Sequence, residues 1–203
     1  KVRVGIVNEV ERVSGGRVEI GVFRVDWSKL TAEVAPFVLH GTEPAGEKPL
    51  FTADSVQVGL KIISAFKRDI DIASLVVQRP QLNLLVDESG VTNFPKPKVE
   101  RKTEKDPIEQ LLNLAVQQIT LRNGEIRYAD KKLPLNIEGQ YMNASLAYNF
   151  TGPSYEGTLN FERLTVDSGP TLPMSVAFDS KVSLLKNKLQ VNEGVSKAEA
   201  IER

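Results

Sequence analysis

Residues 70–95 read IDIASLVVQRPQLNLLVDESGVTNFP, and the reading of this stretch decides the fold. Two apolar runs flank Arg79-Pro80. Proline has no N–H to give to a ladder, so position 80 belongs at a strand start, an edge or a bulge. Leu82, Leu84 and Val86 then alternate with Asn83 and, less cleanly, with Leu85, which is the period of a strand with one buried face. Asp87-Glu88-Ser89-Gly90 is a cluster of turn formers, and a short extended piece closes at Asn93-Phe94-Pro95. Residue chemistry alone gives a β-rich domain and names no activity.

Working outward, residues 55–62 carry the cleanest strand pattern, with Val56, Val58, Leu60 and Ile62 on one face and Gln57, Gly59 and Lys61 on the other. Residues 70–77 begin with the same alternation and end as a continuous apolar run, as a more buried strand does. Further upstream, Val18, Ile20 and Val22 share a face, and Val25 and Trp27 follow after a one-residue slip that predicts a bulge. Residues 30–39 read as a strand interrupted by Pro36, and residues 41–49 as a loop. Residues 2–13 fit either alternation or a helical stripe through Ile6, Val10 and Val13. The helix, stopped by Gly15-Gly16 and packed as a plug on one end of the sheet, is preferred.

Downstream, residues 95–105 are rich in Pro, Lys, Glu and Arg and read as a charged, flexible linker. Asp106-Pro107-Ile108-Glu109 is a helix start with a capping-box-like arrangement. Ile108, Leu111, Leu112, Ala115 and Ile119 then recur at helical spacing, giving an amphipathic helix near residues 107–118 that faces the core. From Ile119 the β pattern returns. Ile119, Leu121, Asn123-Gly124, Ile126 and Tyr128 read as a strand with a bulge or as a tight hairpin. Met142, Ala144, Leu146, Tyr148 and Phe150 alternate without a fault, and Leu164 and Val166 follow Tyr155, Gly157, Leu159 and Phe161 after another slip. Residues 174–178 make a further strand, and residues 182–191 end the β series with a turn at Lys186-Asn187-Lys188. The polar residues 192–203 are expected to be frayed or cut mid-element.

The expected organisation is mainly β: a curled antiparallel meander with a leading helix and one inserted helix. Residues 1–94 form a first β segment and 95–106 a linker, and 107–203 return a helix and more of one continuous sheet. The apolar strand faces either meet across a sandwich or line an open trough.

Composition narrows the function. A chain of 203 residues supports one good-sized core or two small ones. Lys plus Arg and Asp plus Glu are equal at 26 each, so no net field draws nucleic acid or an anionic membrane, and composition does not favour a local basic patch. Without cysteine there is neither a disulfide scaffold nor a thiolate metal site. No apolar run approaches the ~20 residues that span a bilayer. Because the sequence starts at Lys1 rather than Met, it is read as a fragment or a processed piece. His40 is the sole histidine, which leaves His-based dyads and multi-His metal sites without support, and it reads as a surface or loop-end residue. Asp69/Asp71 and Glu9/Glu11 read as solvated faces, Asp87-x-Ser89-Gly90 is too short for a calcium loop, and Trp27 and Phe37 read as core. No enzyme, cofactor or metal site is expected.

The pattern Arg79-Pro80-x-Leu82-x-Leu84 followed by Val86-Asp87-x-x-Gly90-x-x-Asn93 resembles the signature of the AsmA-like superfamily. Within that group it is most similar to the N-terminal region of TamB-type translocation and assembly module proteins. The resemblance implies a U-shaped, β-taco-like sheet with an apolar interior, similar to chorein-type bridge-like lipid transfer proteins. It further implies a periplasmic location, an inner-membrane anchor outside this chain, and phospholipid movement between inner and outer membranes. The groove lining would then be Val56, Val58, Leu60, Ile62, Leu82, Leu84, Val86, Leu146, Tyr148 and Phe150. The alternative is a non-enzymatic periplasmic scaffold that binds an outer-membrane assembly protein through a sheet edge.

Overall fold

A computed structural model describes residues 7, 8, 10–12, 14–61, 72–95, 112–169, 172–186 and 188–198, the last six of these in their backbone only. Eleven strands make one sheet: β1 (Val18–Asp26), β2 (Thr31–Leu39), β3 (Phe51–Ala53), β4 (Ser55–Leu60), β5 (Ile72–Gln78), β6 (Gln81–Val86), β7 (Gln118–Asp130), β8 (Leu135–Asn149), β9 (Ser154–Asp167), β10 (Met174–Leu185) and β11 (Lys188–Ala198). The chain is mainly β, as alternation predicts, and the strands on both sides of the charged segment belong to this one sheet.

The sheet is mixed rather than purely antiparallel. β7 runs antiparallel to β8, but its other edge takes β5 along its first half and β6 along its second, both parallel to it. A parallel neighbour needs a crossover, and residues 87–117 carry the chain from the end of β6 back to the start of β7. β5 and β6 are therefore two halves of one line broken at Arg79-Pro80. β3 and β4 are likewise halves of one line broken at Asp54, and both lie along β2.

These breaks fall on a single line across the sheet. The apolar alternation changes parity in β1 between Ile20 and Phe23, in β2 between Val34 and Phe37, in β7 between Leu121 and Ile126, and in β9 between Phe161 and Leu164. An inserted residue returns the alternation to the same face, which is the use of a β-bulge. The register sets the insertions side by side. Val22 lies opposite Ala35, Asp54 N donates to Gln78 O, Arg79 N donates to Arg122 O, and Gly124 lies opposite Met142. Arg79, Asn123 and Tyr141 take positive φ of 46°, 54° and 53° along this line. Residues 119–128 thus form one bulged strand and not a hairpin. Pro36 does not interrupt β2, because it stands at the step where the β1 ladder skips from Ala35 to Phe37 and no N–H is needed. A Cβ on Gly124 would lie 2.8 Å from the Pro80 ring, so the proline of the motif packs on a residue that has to be glycine.

Among the helical expectations, residues 7, 8, 10–12 and 14 are helical, and Gly15 ends that turn with φ 79° and its N–H on Glu11 O. Leu112–Leu114 is a helical turn closed by Ala115 at φ 45°. The helix expected near 107–118 therefore stops short, since residues 115–117 are not helical and Gln118 already opens β7. Its first residues 107–111, residues 96–106 of the linker and Ile62 lie outside the described residues.

Candidate functional site

The strand register turns local alternation into a surface. Following Cα partners across the sheet, one row runs Val25, Ala32, Val58, Leu75, Ile119, Leu146, Gly157, Val182, Val191. The row one residue over faces the other way and runs Arg24, Glu33, Gln57, Val76, Thr120, Ser145, Thr158, Lys181. The first is apolar from edge to edge and the second is polar at all but one position. A parallel apolar row passes through Phe23, Val34, Val56, Val77, Leu121, Ala144 and Leu159. Beyond the bulge line the pattern continues through Leu39, Phe51, Leu82, Ile126 and Leu164.

The expected lining residues fall on this surface with two exceptions. Val56, Val58, Leu60, Leu82, Leu84, Leu146 and Tyr148 are half-buried and Val86 is buried. Phe150 lies one residue past β8 and is 61% exposed, its ring edge-on to Tyr148 at 4.9 Å. Ile62 is the other exception, being outside the described residues.

The apolar face is not uniformly open. Leu112 and Val116 are buried in a cluster with Ile119 and Tyr155, against which Ile72, Leu75, Leu121, Leu146, Tyr148 and Leu184 pack. Tyr155 is fully buried, and its hydroxyl oxygen accepts the Val116 N–H at 3.0 Å, pinning the 112–116 segment over this end of the face. Burial also pushes the Tyr155 phenol above its ordinary pKa. At the two sheet edges the face lies open: Val25 on β1 and Val191 on β11 are 38% and 53% exposed.

The residues of the sequence motif hold the scaffold. Asp87 Oδ1 accepts the Ser89 N–H, the Ser89 hydroxyl and the Val91 N–H at 2.9, 2.6 and 2.9 Å, and these donors hold its carboxyl below the usual range. Asn93 is buried and donates to Asn83 O while accepting the Leu85 N–H, both at 2.9 Å. Its amide thus stands in for a strand along the part of β6 that β3 does not reach. Asp87-x-x-Gly90-x-x-Asn93 is a turn lock, and no substrate is needed to explain it.

Other candidates separate from the apolar face. His40 ends β2 with Nδ1 2.8 Å from Glu43 Oε1, and Glu11 accepts the Val18 N–H. Among the described residues no group of His, Cys, Asp or Glu is arranged to hold a metal, and no helix is long and apolar enough to cross a membrane. A hollow of about 170 Å³ lies on the polar face between Lys48, Gln81, Asn83, Glu125, Arg127 and Glu138. Trp27 is 78% exposed and so is not core, because the β1–β2 turn that carries it projects beyond the sheet. Phe37 is half-buried, edge-on to Phe51 at 6.0 Å. Sequence reasoning missed the closeness of Lys61 and Phe150, where the ammonium stands 5.7 Å from the ring centre. Nothing in the spacing of two residues so far apart signals that contact.

No protein-family model matches the chain, and no curated protein matches its sequence.

Proposed function

We propose that the chain is part of a bridge-like phospholipid transfer protein of the AsmA-like kind, similar to the N-terminal region of TamB-type proteins. In this reading it works in the periplasm, anchored to the inner membrane by a segment outside this sequence. The sheet curls over its apolar face into a trough, and acyl chains lie along Val56, Val58, Leu60, Leu82, Leu84 and Val86. The observation that carries the reading is the apolar row that runs from Val25 at one sheet edge to Val191 at the other while its neighbour is polar at every position but Val76. Acyl chains need an apolar lining that continues from strand to strand, and water needs the outer face. The aligned bulges support the curl, since each one bends its strand and adds twist. The chemistry asked of the protein is solvation alone, with no bond made or broken.

The test is mass spectrometry of organic extracts from gently purified protein, beside a Leu60→Glu/Leu84→Glu variant. Both positions are half-buried and lie outside the Tyr155 cluster. Phospholipid at near-stoichiometric level, lost in a variant that remains folded, is the expected result. Lipid-free wild-type protein refutes the reading, and so does a variant that simply unfolds, which would mark the face as closed core.

The free outer edges of β1 and β11 favour a second reading, a scaffold for outer-membrane protein assembly. Each of these strands pairs with only one neighbour among the described residues, and an unpaired edge can accept a strand from a partner. Crosslinkers placed on β1 would capture that partner, with no lipid in the extract.

A further inference from the structure

The apolar face leaves unused a set of residues that the fold gathers at one end of the sheet. The β1–β2 turn, residues 27–30, lies against the end of β4, where Leu60 N donates to Leu30 O at 2.9 Å. Lys61 follows, with its ammonium on the Phe150 ring. Phe150 touches Tyr148, and the Tyr148 N–H reaches Gln117 O at 3.0 Å. The β10–β11 turn completes the end, with Leu185 opposite Lys188 and Leu184 packed on the Tyr155 cluster.

Large apolar side chains stand out into solvent here: Trp27 at 78%, Phe150 at 61% and Leu114 at 59% exposure. Lys29, Lys61 and Lys188 share the end with them, and the Asp26 carboxylate beside them is already engaged by Ser28 and Lys29. Exposed aromatic rings interleaved with lysines fit the boundary between headgroups and hydrocarbon. There the amphipathic tryptophan ring settles among the headgroups, a phenylalanine ring reaches the acyl boundary beneath them, and lysine stems lie on apolar surface with the ammonium in water. Lysine is depleted from protein–protein interfaces, which favours lipid over a protein partner.

We infer that this end of the sheet docks on the surface of an anionic bilayer, with Trp27 in the headgroup layer, Phe150 at its boundary with the acyl chains, and Lys29 and Lys61 facing lipid phosphates. The inference rests on the lipid-conduit reading for its purpose: Leu60 of the apolar face borders this end, outside the cluster that the 112–116 segment covers, so docking brings that part of the face next to the bilayer. The docking itself is measured separately from transport.

Trp27 is the only tryptophan of the chain, so its emission reports on this end alone. The purified protein is titrated with phosphatidylcholine vesicles, with and without a minor fraction of phosphatidylglycerol, at low and high salt. The expected result is a blue shift with the anionic vesicles that salt reverses. Lys29→Gln/Lys61→Gln, its fold checked by circular dichroism, weakens binding by roughly fivefold per lysine. Lys131→Gln/Lys132→Gln, at the opposite end of β7, leaves it unchanged. An emission that stays constant overturns the inference, as does binding that both double variants weaken equally. A surface shaped for a protein would leave the vesicles unbound and give the first of these overturning results. Docking without copurified lipid refutes the conduit and keeps this inference, and lipid carried without docking does the reverse.

Discussion

Tyr155→Phe removes the hydroxyl contact that holds the 112–116 segment over the apolar face. The phenol is fully buried and its oxygen accepts the Val116 N–H at 3.0 Å, and Val116 is itself 1% exposed. Phenylalanine keeps the ring and its edge contact with Tyr148 at 5.1 Å but leaves a buried backbone donor without this acceptor. An orphaned buried donor costs roughly 1–3 kcal/mol. For a chain of this size about 2 kcal/mol lowers the Tm by roughly 4–8 °C. Equilibrium urea unfolding should show a lower midpoint with an unchanged slope, and amide exchange should show the Val116 N–H losing protection. Tyr148→Phe serves as the control: its ring is half-buried, and losing that hydroxyl should cost within about 0.5 kcal/mol. The reasoning fails if Tyr155→Phe costs no more than the control while the Val116 amide stays protected.

Asn93→Ala removes one buried and one part-buried hydrogen bond from the edge of β6 and leaves the Leu85 N–H without its acceptor. A loss of roughly 2–4 kcal/mol in urea unfolding is expected, and Asn93→Asp should recover the Leu85 bond but not the Asn83 one. Acid should weaken the fold through the turns. Asp87 is held below the ordinary carboxyl range first by the Ser89 hydroxyl and then by the Val91 N–H, and Asp130 by the Leu133 N–H and then the Tyr128 hydroxyl. Because the folded pKa is the depressed one, this stability is present above about pH 4 and is lost as pH falls through the folded values. Urea midpoints taken from neutral pH down to about pH 3 should therefore drop less in Asp87→Asn than in the parent, and parallel curves would contradict the assignment.

The sequence by itself determined most of the strands, because side-chain alternation is a period of two that any half-buried strand must show. Where alternation fades it split β10 at residues 178–182, stopped β11 at residue 191 and missed the start of β8. Val56, Val58 and Leu60 announce β4, and Leu82, Leu84 and Val86 announce β6. The slips were legible in part: Asn123-Gly124, readable as a bulge or a hairpin, is a bulge within β7, and the step from Phe161 to Leu164 meets a register shift against β10. By contrast, β1 runs from Val22 to Val25 against β2 without one, its change of parity lying earlier, between Ile20 and Phe23. What alternation cannot carry is which strand lies beside which, since pairing joins residues far apart in the chain and the same apolar pattern suits many neighbours. Only the tertiary structure aligned the slips into one line, set β5 and β6 parallel to β7, and turned separate strand faces into a single apolar surface. It also decided Trp27 and Phe150. An aromatic residue is core only where something covers it, and the β1–β2 turn and the end of β8 leave both rings in solvent.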